Sequence, residues 1–220
     1  MNFTFEKQDY NRRECAVFRK TREDYGGLSN MASGYSLLVN DIKILTLEAL
    51  YQACRFPHLP EVQRLIIVQK SPMAAKMKSR SHRRDSREDW DKVRVIVMRW
   101  CLRVKLAQNW NTFGSLLRST GDLAIVEESK RDTFWGAKPV DDNTLEGVNT
   151  LGRLLMELRS EYLRQDNEFL HVVKPLSIKD FLLYGRPIET ISKKRELSGS
   201  KTNKPAKQKE YVQPTWDAFT

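Results

Sequence analysis

The stretch Asp89-Trp90-Asp91-Lys92-Val93-Arg94-Val95-Ile96-Val97-Met98-Arg99-Trp100-Cys101-Leu102-Arg103-Val104-Lys105-Leu106-Ala107 carries the strongest periodicity in the chain. Val93, Val97, Trp100, Cys101 and Val104 recur at three- and four-residue spacing, which places them on one face of a helix from Asp91 to about Ala107. That face is apolar enough to be core, and the segment is the longest core helix in the chain.

Working outward from this helix, the pattern gives more helices and only short extended pieces. Ala16-Val17-Phe18 and Tyr35 to Val39 read as strands, the second turned by Asn40-Asp41 into Ile42-Lys43-Ile44-Leu45 as a small hairpin. Thr46 caps a helix with the stripe Leu47, Leu50, Tyr51 and Cys54, ended by Pro57 and Pro60. Glu61 to Gln69 continues as a short helix, and Ser71-Pro72 opens another over Met73 to Lys78. Arg80 to Arg87 lacks apolar periodicity and reads as an exposed loop. Thr112 to Arg118 is a helix stopped by Gly121, and Leu123 to Glu128 is a buried strand. Leu151, Leu154, Leu155, Leu158 and Tyr162 share one helical face, with Asn149 or Thr150 as its cap. The strands are too few and short for a parallel α/β sheet, so the expected class is mainly α, an α+β domain.

Composition bounds the function. The 220 residues suit one domain with appendages, and 40% hydrophobic residues suffice for one core. The N-terminal residues have no apolar leader segment and no run is long enough to span a bilayer, so a cytoplasmic protein with no membrane contact is expected. Three widely spaced cysteines (Cys15, Cys54, Cys101) and three histidines suggest neither a disulfide framework nor a zinc site. No cofactor is implied. Of the net charge of +10, much lies between Ser192 and Lys209, where seven basic residues face Glu196 alone. Residues 191–220 read as a disordered basic tail, either a solubilising extension or a salt-sensitive contact for DNA, RNA or an acidic partner. Before it, residues 166–190, with Phe181-Leu182-Leu183-Tyr184, read as a docked segment. Residues 1–17 form an extension or first strand, and 18–165 the domain.

Pocket chemistry concentrates in Ser129-Lys130-Arg131-Asp132-Thr133-Phe134-Trp135-Gly136 and in Gly147-Val148-Asn149-Thr150-Leu151-Gly152 at a helix start. Glycines let backbone approach a ligand and helix N-termini attract anions, so something flat and phosphorylated is the expected ligand.

Six motifs in order then resemble the YbiA-like family, also called the NADAR superfamily. They are Gly27-Leu28-Ser29-Asn30, Leu47-Glu48-Ala49-Leu50-Tyr51-Gln52-Ala53, Ser71-Pro72-Met73-Ala74-Ala75, Asp89-Trp90, Asp132-Thr133-Phe134-Trp135-Gly136 and Asn149-Thr150-Leu151-Gly152-Arg153-Leu154-Leu155-Met156. The resemblance runs from about Phe18 to Arg159. It implies a small helical fold that hydrolyses the N-glycosidic bond between a phosphorylated ribose and a base. Relatives act on phosphoribosylated riboflavin intermediates or remove ADP-ribose from guanine, some as antitoxins. The implied partners are therefore an ADP-ribosyl or phosphoribosyl substrate and, for an antitoxin, a cognate toxin system. The alternative is a non-catalytic nucleotide-binding module acting in immunity or sensing.

Cleavage of such a bond builds positive charge on the ribose and negative charge on the departing base, which calls for carboxylates and a proton donor. Glu48 is the first candidate, on a helical face with Gln52 and Arg55 and away from the apolar stripe. A Glu in a first turn also simply favours the helix dipole, by roughly 0.3 to 1 kcal/mol. Asp132 is the second, with Trp135 and Trp90 as stacking faces for the base or as large packing residues. Ser29 and Asn30 offer groups for ribose or phosphate, or form an ordinary turn. Arg80 and its neighbours Arg83, Arg84 and Arg87 suit phosphate or open solvent. Gly136 and Asn149 complete the substrate-binding set, Asn149 as ligand, as cap or as both. Trp100 belongs to the core stripe. Two positions depart from the family pattern. Arg55 stands where a lysine is common and cannot serve as an amine nucleophile, and Met31 stands where an aromatic residue is common.

Overall fold

A computed structural model describes residues 6–193. The expected basic tail lies outside them, apart from its first residues Ile191 to Lys193. In chain order the elements are β1 (Gln8–Asn11), β2 (Cys15–Phe18), β3 (Leu37–Val39), β4 (Ile42–Ile44), α1 (Leu47–Ala53), α2 (Pro60–Ile67) and α3 (Pro72–Ser81). There follow α4 (Trp90–Gln108), α5 (Trp110–Ser119), β5 (Ala124–Glu127), β6 (Lys138–Pro139), β7 (Thr144–Gly147) and α6 (Thr150–Tyr162). The short strands β8 (Val172–Val173), β9 (Leu182–Leu183), β10 (Arg186–Pro187) and β11 (Ile191–Ser192) complete the set. The class is mainly α with short strands, as expected. Among the described residues no helix is long and apolar enough to cross a membrane.

α4 runs through the middle, packed by α1, α5 and α6. Its stripe residues Val97, Trp100, Cys101 and Val104 are all buried. Trp100 is core, with its indole N–H on the Lys174 carbonyl at 3.0 Å and its ring edge-on to Phe181. Local signals set several boundaries. Asn40 and Asp41 both take positive φ, the geometry of a tight hairpin turn, between the antiparallel β3 and β4. The Thr46 hydroxyl accepts the Ala49 N–H at 3.2 Å and the Ser71 hydroxyl the Ala74 N–H at 3.1 Å, so both helices start on a side-chain cap. Pro60, expected to end a helix, instead occupies the first position of α2, where its missing N–H is not needed.

Three expectations need correction. The Arg80 to Arg87 segment is not an exposed loop throughout: α3 runs on to Ser81, Arg83–Asp85 form a 3₁₀ turn, and Arg87 is buried. The Arg87 guanidinium grips Asp89 at 2.5 and 3.0 Å and donates to the Lys179 carbonyl at 2.7 Å. Asn149 does not cap α6 with its side chain. It takes a left-handed φ of 52° and sends its amide to β5, donating to the Ile125 carbonyl at 2.8 Å and accepting the Glu127 N–H at 3.2 Å. Finally, the start of α6 is not open to an anion: the Thr150 and Leu151 N–H groups donate to the carbonyls of Phe134 and Trp135, each at 3.0 Å.

The strand pairings show why these residues meet. β2 and β5 form one parallel pair, in register Cys15 with Ala124 through Phe18 with Glu127. On its other side β5 meets Asn149 in place of a third strand. The antiparallel sheet β1-β7-β6 delivers the chain to Asn149. Beyond α6, residues 164–193 wrap back over α4 and are fastened at distant points. Gln63 donates to the Leu182 carbonyl and accepts the Tyr184 N–H, and Asn40 does the same for Pro187 and Glu189.

Asn149→Ala removes both side-chain bonds to β5 and strands buried backbone groups, so unfolding in urea should show a loss of about 2–4 kcal/mol.

Candidate functional site

A cavity of about 460 Å³ opens between the start of α1, the face of α3, the first half of α4 and the loop that follows β5. Of the residues singled out from the sequence, Asn30, Glu48, Gln52, Arg55, Arg80, Trp90, Asp132 and Trp135 line it. Ser29, Gly136 and Asn149 do not. The Ser29 hydroxyl accepts the Met31 N–H at 3.1 Å and shapes the turn before the site. Gly136 packs so closely that a Cβ there would lie 2.4 Å from the Glu127 carbonyl oxygen, which makes it a backbone requirement rather than a contact for ligand. Asn149 is wholly buried in the junction described above.

Glu48 sits in the first turn of α1 at 1% exposure. Burial pushes its pKa up, while Lys76 and two amide hydrogen bonds oppose the shift. Asn30 Nδ2 donates to Oε2 at 2.5 Å and Gln52 Nε2 to Oε1 at 2.9 Å. The Gln52 amide cannot turn over without loss, because its own oxygen accepts the Ser79 hydroxyl at 2.5 Å. Both carboxyl oxygens are thus held by donors, an arrangement that suits the charged form and fixes its direction.

A second acid, the half-buried Glu127 at the end of β5, lines the same cavity. Its pKa is raised to about 7, by burial first and then by Asp132 and Glu48, with Lys76 opposing. The sequence reading missed it, because at the end of an apolar strand it looks like a solvent-facing terminus. Asp132 has another task as well: its Oδ1 accepts the N–H groups of Phe134 and Trp135 at 3.0 and 2.9 Å, making the turn that presents both rings.

The aromatic wall is larger than the sequence indicated. Tyr51, placed on the core stripe by its spacing, lies 5.2 Å from Trp90 and 5.8 Å from Trp135 between ring centroids and also lines the cavity. Phe134 packs edge-on to Trp135 at 5.2 Å, with the Arg94 guanidinium 4.0 Å from its own centroid. Arg55 reaches over Trp90 and donates Nε to the Ser86 hydroxyl at 2.6 Å. Lys76, Arg83 and Arg94 join Arg55 and Arg80 among the cations of the cavity wall. Lys76 and Arg80 stand four residues apart on α3, a spacing that placed them on one face. The contribution of Arg94 from the core helix was hidden by the dominance of its apolar stripe.

A helical domain with one buried and one half-buried carboxyl, an aromatic wall and a cationic rim in one cavity is equipped to hold a planar, anionic ligand and to transfer a proton to it. Residues 17–163 match the family model described as NADAR domain. The chain belongs to this family. It is 34% identical over 147 residues to the N-glycosidase YbiA of Shigella boydii serotype 4 (strain Sb227), covering 66% of this chain and 86% of that one. It is 33% identical over 144 residues to the riboflavin biosynthesis protein VVA0006 of Vibrio vulnificus (strain YJ016), covering 66% of this chain but 37% of that one. The NMR structure of the E. coli protein YbiA superposes with a TM-score of 0.58 at 32% identity, over 67% of this chain and 83% of that one.

The pKa of Glu127 has a signed effect on stability. An acid whose folded pKa lies above its unfolded value holds its proton longer when folded, so stability falls as pH rises from about 4.5 and the loss is complete above about 7. Glu127→Gln removes that penalty. Urea melts at about pH 5 and about pH 8 should show the variant gaining on the parent by up to about 3 kcal/mol.

Proposed function

We propose that this chain is an N-glycosidase that hydrolyses the bond between a phosphorylated ribose, as ADP-ribose or ribose phosphate, and a base. The observation that carries the reading is the pair Glu48 and Glu127 on one cavity: Glu48 is buried with an amide donor on each carboxyl oxygen, and Glu127 is half-buried with its pKa raised to about 7. Such a division of environments is how one site supplies both a fixed negative charge and a proton near neutral pH. The names of the relatives at 34% identity, N-glycosidase YbiA among them, support the same chemistry.

In this mechanism the base stacks on the wall of Tyr51, Trp90 and Trp135, and the cationic rim receives the phosphate. Glu48, aimed by Asn30 and Gln52, lies against the ribose, where positive charge develops as the bond to the base lengthens. Glu127 in its protonated form gives its proton to the departing base and, as carboxylate, takes one from the water that attacks the anomeric carbon. Asp132 presents the rings and adds negative charge at the mouth. Arg55 remains a cation throughout and acts on the ligand by charge, so this route needs no amine. The free cysteines Cys15, Cys54 and Cys101 fit a cytoplasmic setting for this reaction.

The purified protein is offered ADP-ribosylated guanine DNA and the phosphoribosylaminouracil intermediate, and release of the free base is followed. Turnover of at least one is expected; failure on both sinks the proposal. On the active substrate, Glu48→Ala should lower kcat by about 10²–10⁴-fold while substrate still binds. Activity of the parent should fall as pH rises past about 7, where Glu127 loses its proton. Glu127→Gln should abolish that alkaline limb along with most of the rate.

A further inference from the structure

Lys105 stands near the end of α4 with none of its surface exposed. Its spacing puts it beside the apolar stripe, and the core closes over its whole length. No carboxylate pairs with it among the described residues. Instead Nζ donates to the carbonyl oxygens of Gly27 at 2.7 Å and Ser29 at 3.2 Å. It lies 4.2 Å from the centroids of both the Tyr35 and Phe113 rings. Burial draws its pKa well below the usual lysine range.

A lysine with no carboxylate partner is a costly way to fill this space. Carbonyl dipoles and two ring faces offset part of its desolvation. A methionine would occupy the same volume without that cost, and buried charges are often replaced by apolar residues with no loss of stability. What methionine cannot do is pin two carbonyls of one turn. Those carbonyls flank the turn that ends at Asn30, and the Ser29 carbonyl belongs to the same peptide plane as the Asn30 N–H.

Asn30 in turn touches Glu48 twice. Its carbonyl accepts the Glu48 N–H at 3.1 Å, and its amide donates to Oε2 at 2.5 Å. The other carboxyl oxygen is held from within α1 by Gln52. One half of the carboxylate's support is therefore local to its own helix, and the other half comes from a loop whose direction is set by the Lys105 amine on α4.

We propose that Lys105 is a positioning residue for Glu48, acting through the Ser29 carbonyl and the Asn30 amide. The proposal rests on the reading that Glu48 works on the ribose. Its test is a double-mutant cycle on the full chain with Lys105→Met and Asn30→Ala. Each single change should lower kcat by about tenfold with KM nearly unchanged, and the double change should cost no more than the larger single. Additive losses, or an unchanged kcat in Lys105→Met, overturn it.

The same coupling can be read without turnover, from the pH titration of the Glu48 carboxyl by ¹³C NMR. Asn30's hydrogen bond favours the charged form, so both single variants should titrate at higher pH than the parent and the double variant no higher. A residue of purely structural value would lower the melting temperature and leave that midpoint in place. If Glu48→Gln keeps full turnover, the functional reading falls while the titration still decides the role of Lys105. Should Lys105→Met fail to fold, Tyr35→Leu removes one ring face from the same Nζ. It should move the midpoint in the same direction, again without adding to Asn30→Ala; an unmoved midpoint or an additive shift overturns the proposal.

Discussion

The side-chain amide of Asn149 is the contact on which the geometry of the site depends. Among the described residues β5 has a true strand partner on one side only, and on the other its Ile125 carbonyl and Glu127 N–H are met by this one amide. Unpaired, those groups would be buried polar atoms of the kind that native structures rarely tolerate. The backbone of Asn149 also bonds Gly136 at 3.1 Å, and Ala137 bonds the Glu127 carbonyl at 2.8 Å. One residue thus locks the end of β5, the loop bearing Trp135 and the start of α6. Glu127 emerges from this knot with its backbone fixed on both sides, and only its side chain is left to the cavity.

Electrostatics then distinguishes the acids. Glu48 is buried and Glu127 half-buried, and both have raised pKa values. Glu48 has donors on both oxygens, whereas what acts on Glu127 besides burial is charge at a distance, from Asp132, Glu48 and Lys76. Hydrogen bonds give direction; distant charges do not. The first carboxyl is consequently fixed in direction, whereas the second has its pKa raised to about 7 with no such hold.

Much of the frame was legible because its signals are local. The α4 stripe, the Thr46 cap, the Ser71-Pro72 helix entry and the Asn40-Asp41 turn each depend on residues within a few positions, and all four stand where they were expected. The β1-β7-β6 sheet was not legible: its strands are short and mixed in polarity, and Gln8 pairs with Gly147 across most of the chain. Most of the residues singled out for the site do gather in one cavity, while Ser29, Gly136 and Asn149 serve the backbone around it. Glu127 and Lys105 escaped for opposite reasons. One is a polar end to an apolar strand and the other a polar neighbour of an apolar stripe. Only the packing of remote elements turns the first toward a cavity and seals in the second.

The wrapping segment after α6 bears on where this folding unit ends. The family match stops at residue 163, yet several buried groups of the matched region find their partners beyond it. Arg87 needs the Lys179 carbonyl, Trp100 needs that of Lys174, and Gln63 and Asn40 each clasp two backbone groups between residues 182 and 189. A chain cut at the family boundary would bare the apolar face of α4 and leave a guanidinium, an indole and two amides short of partners in a half-dry groove. The partners of these buried groups therefore lie beyond the piece that family resemblance marks out, and residues 164–193 are wall rather than appendage.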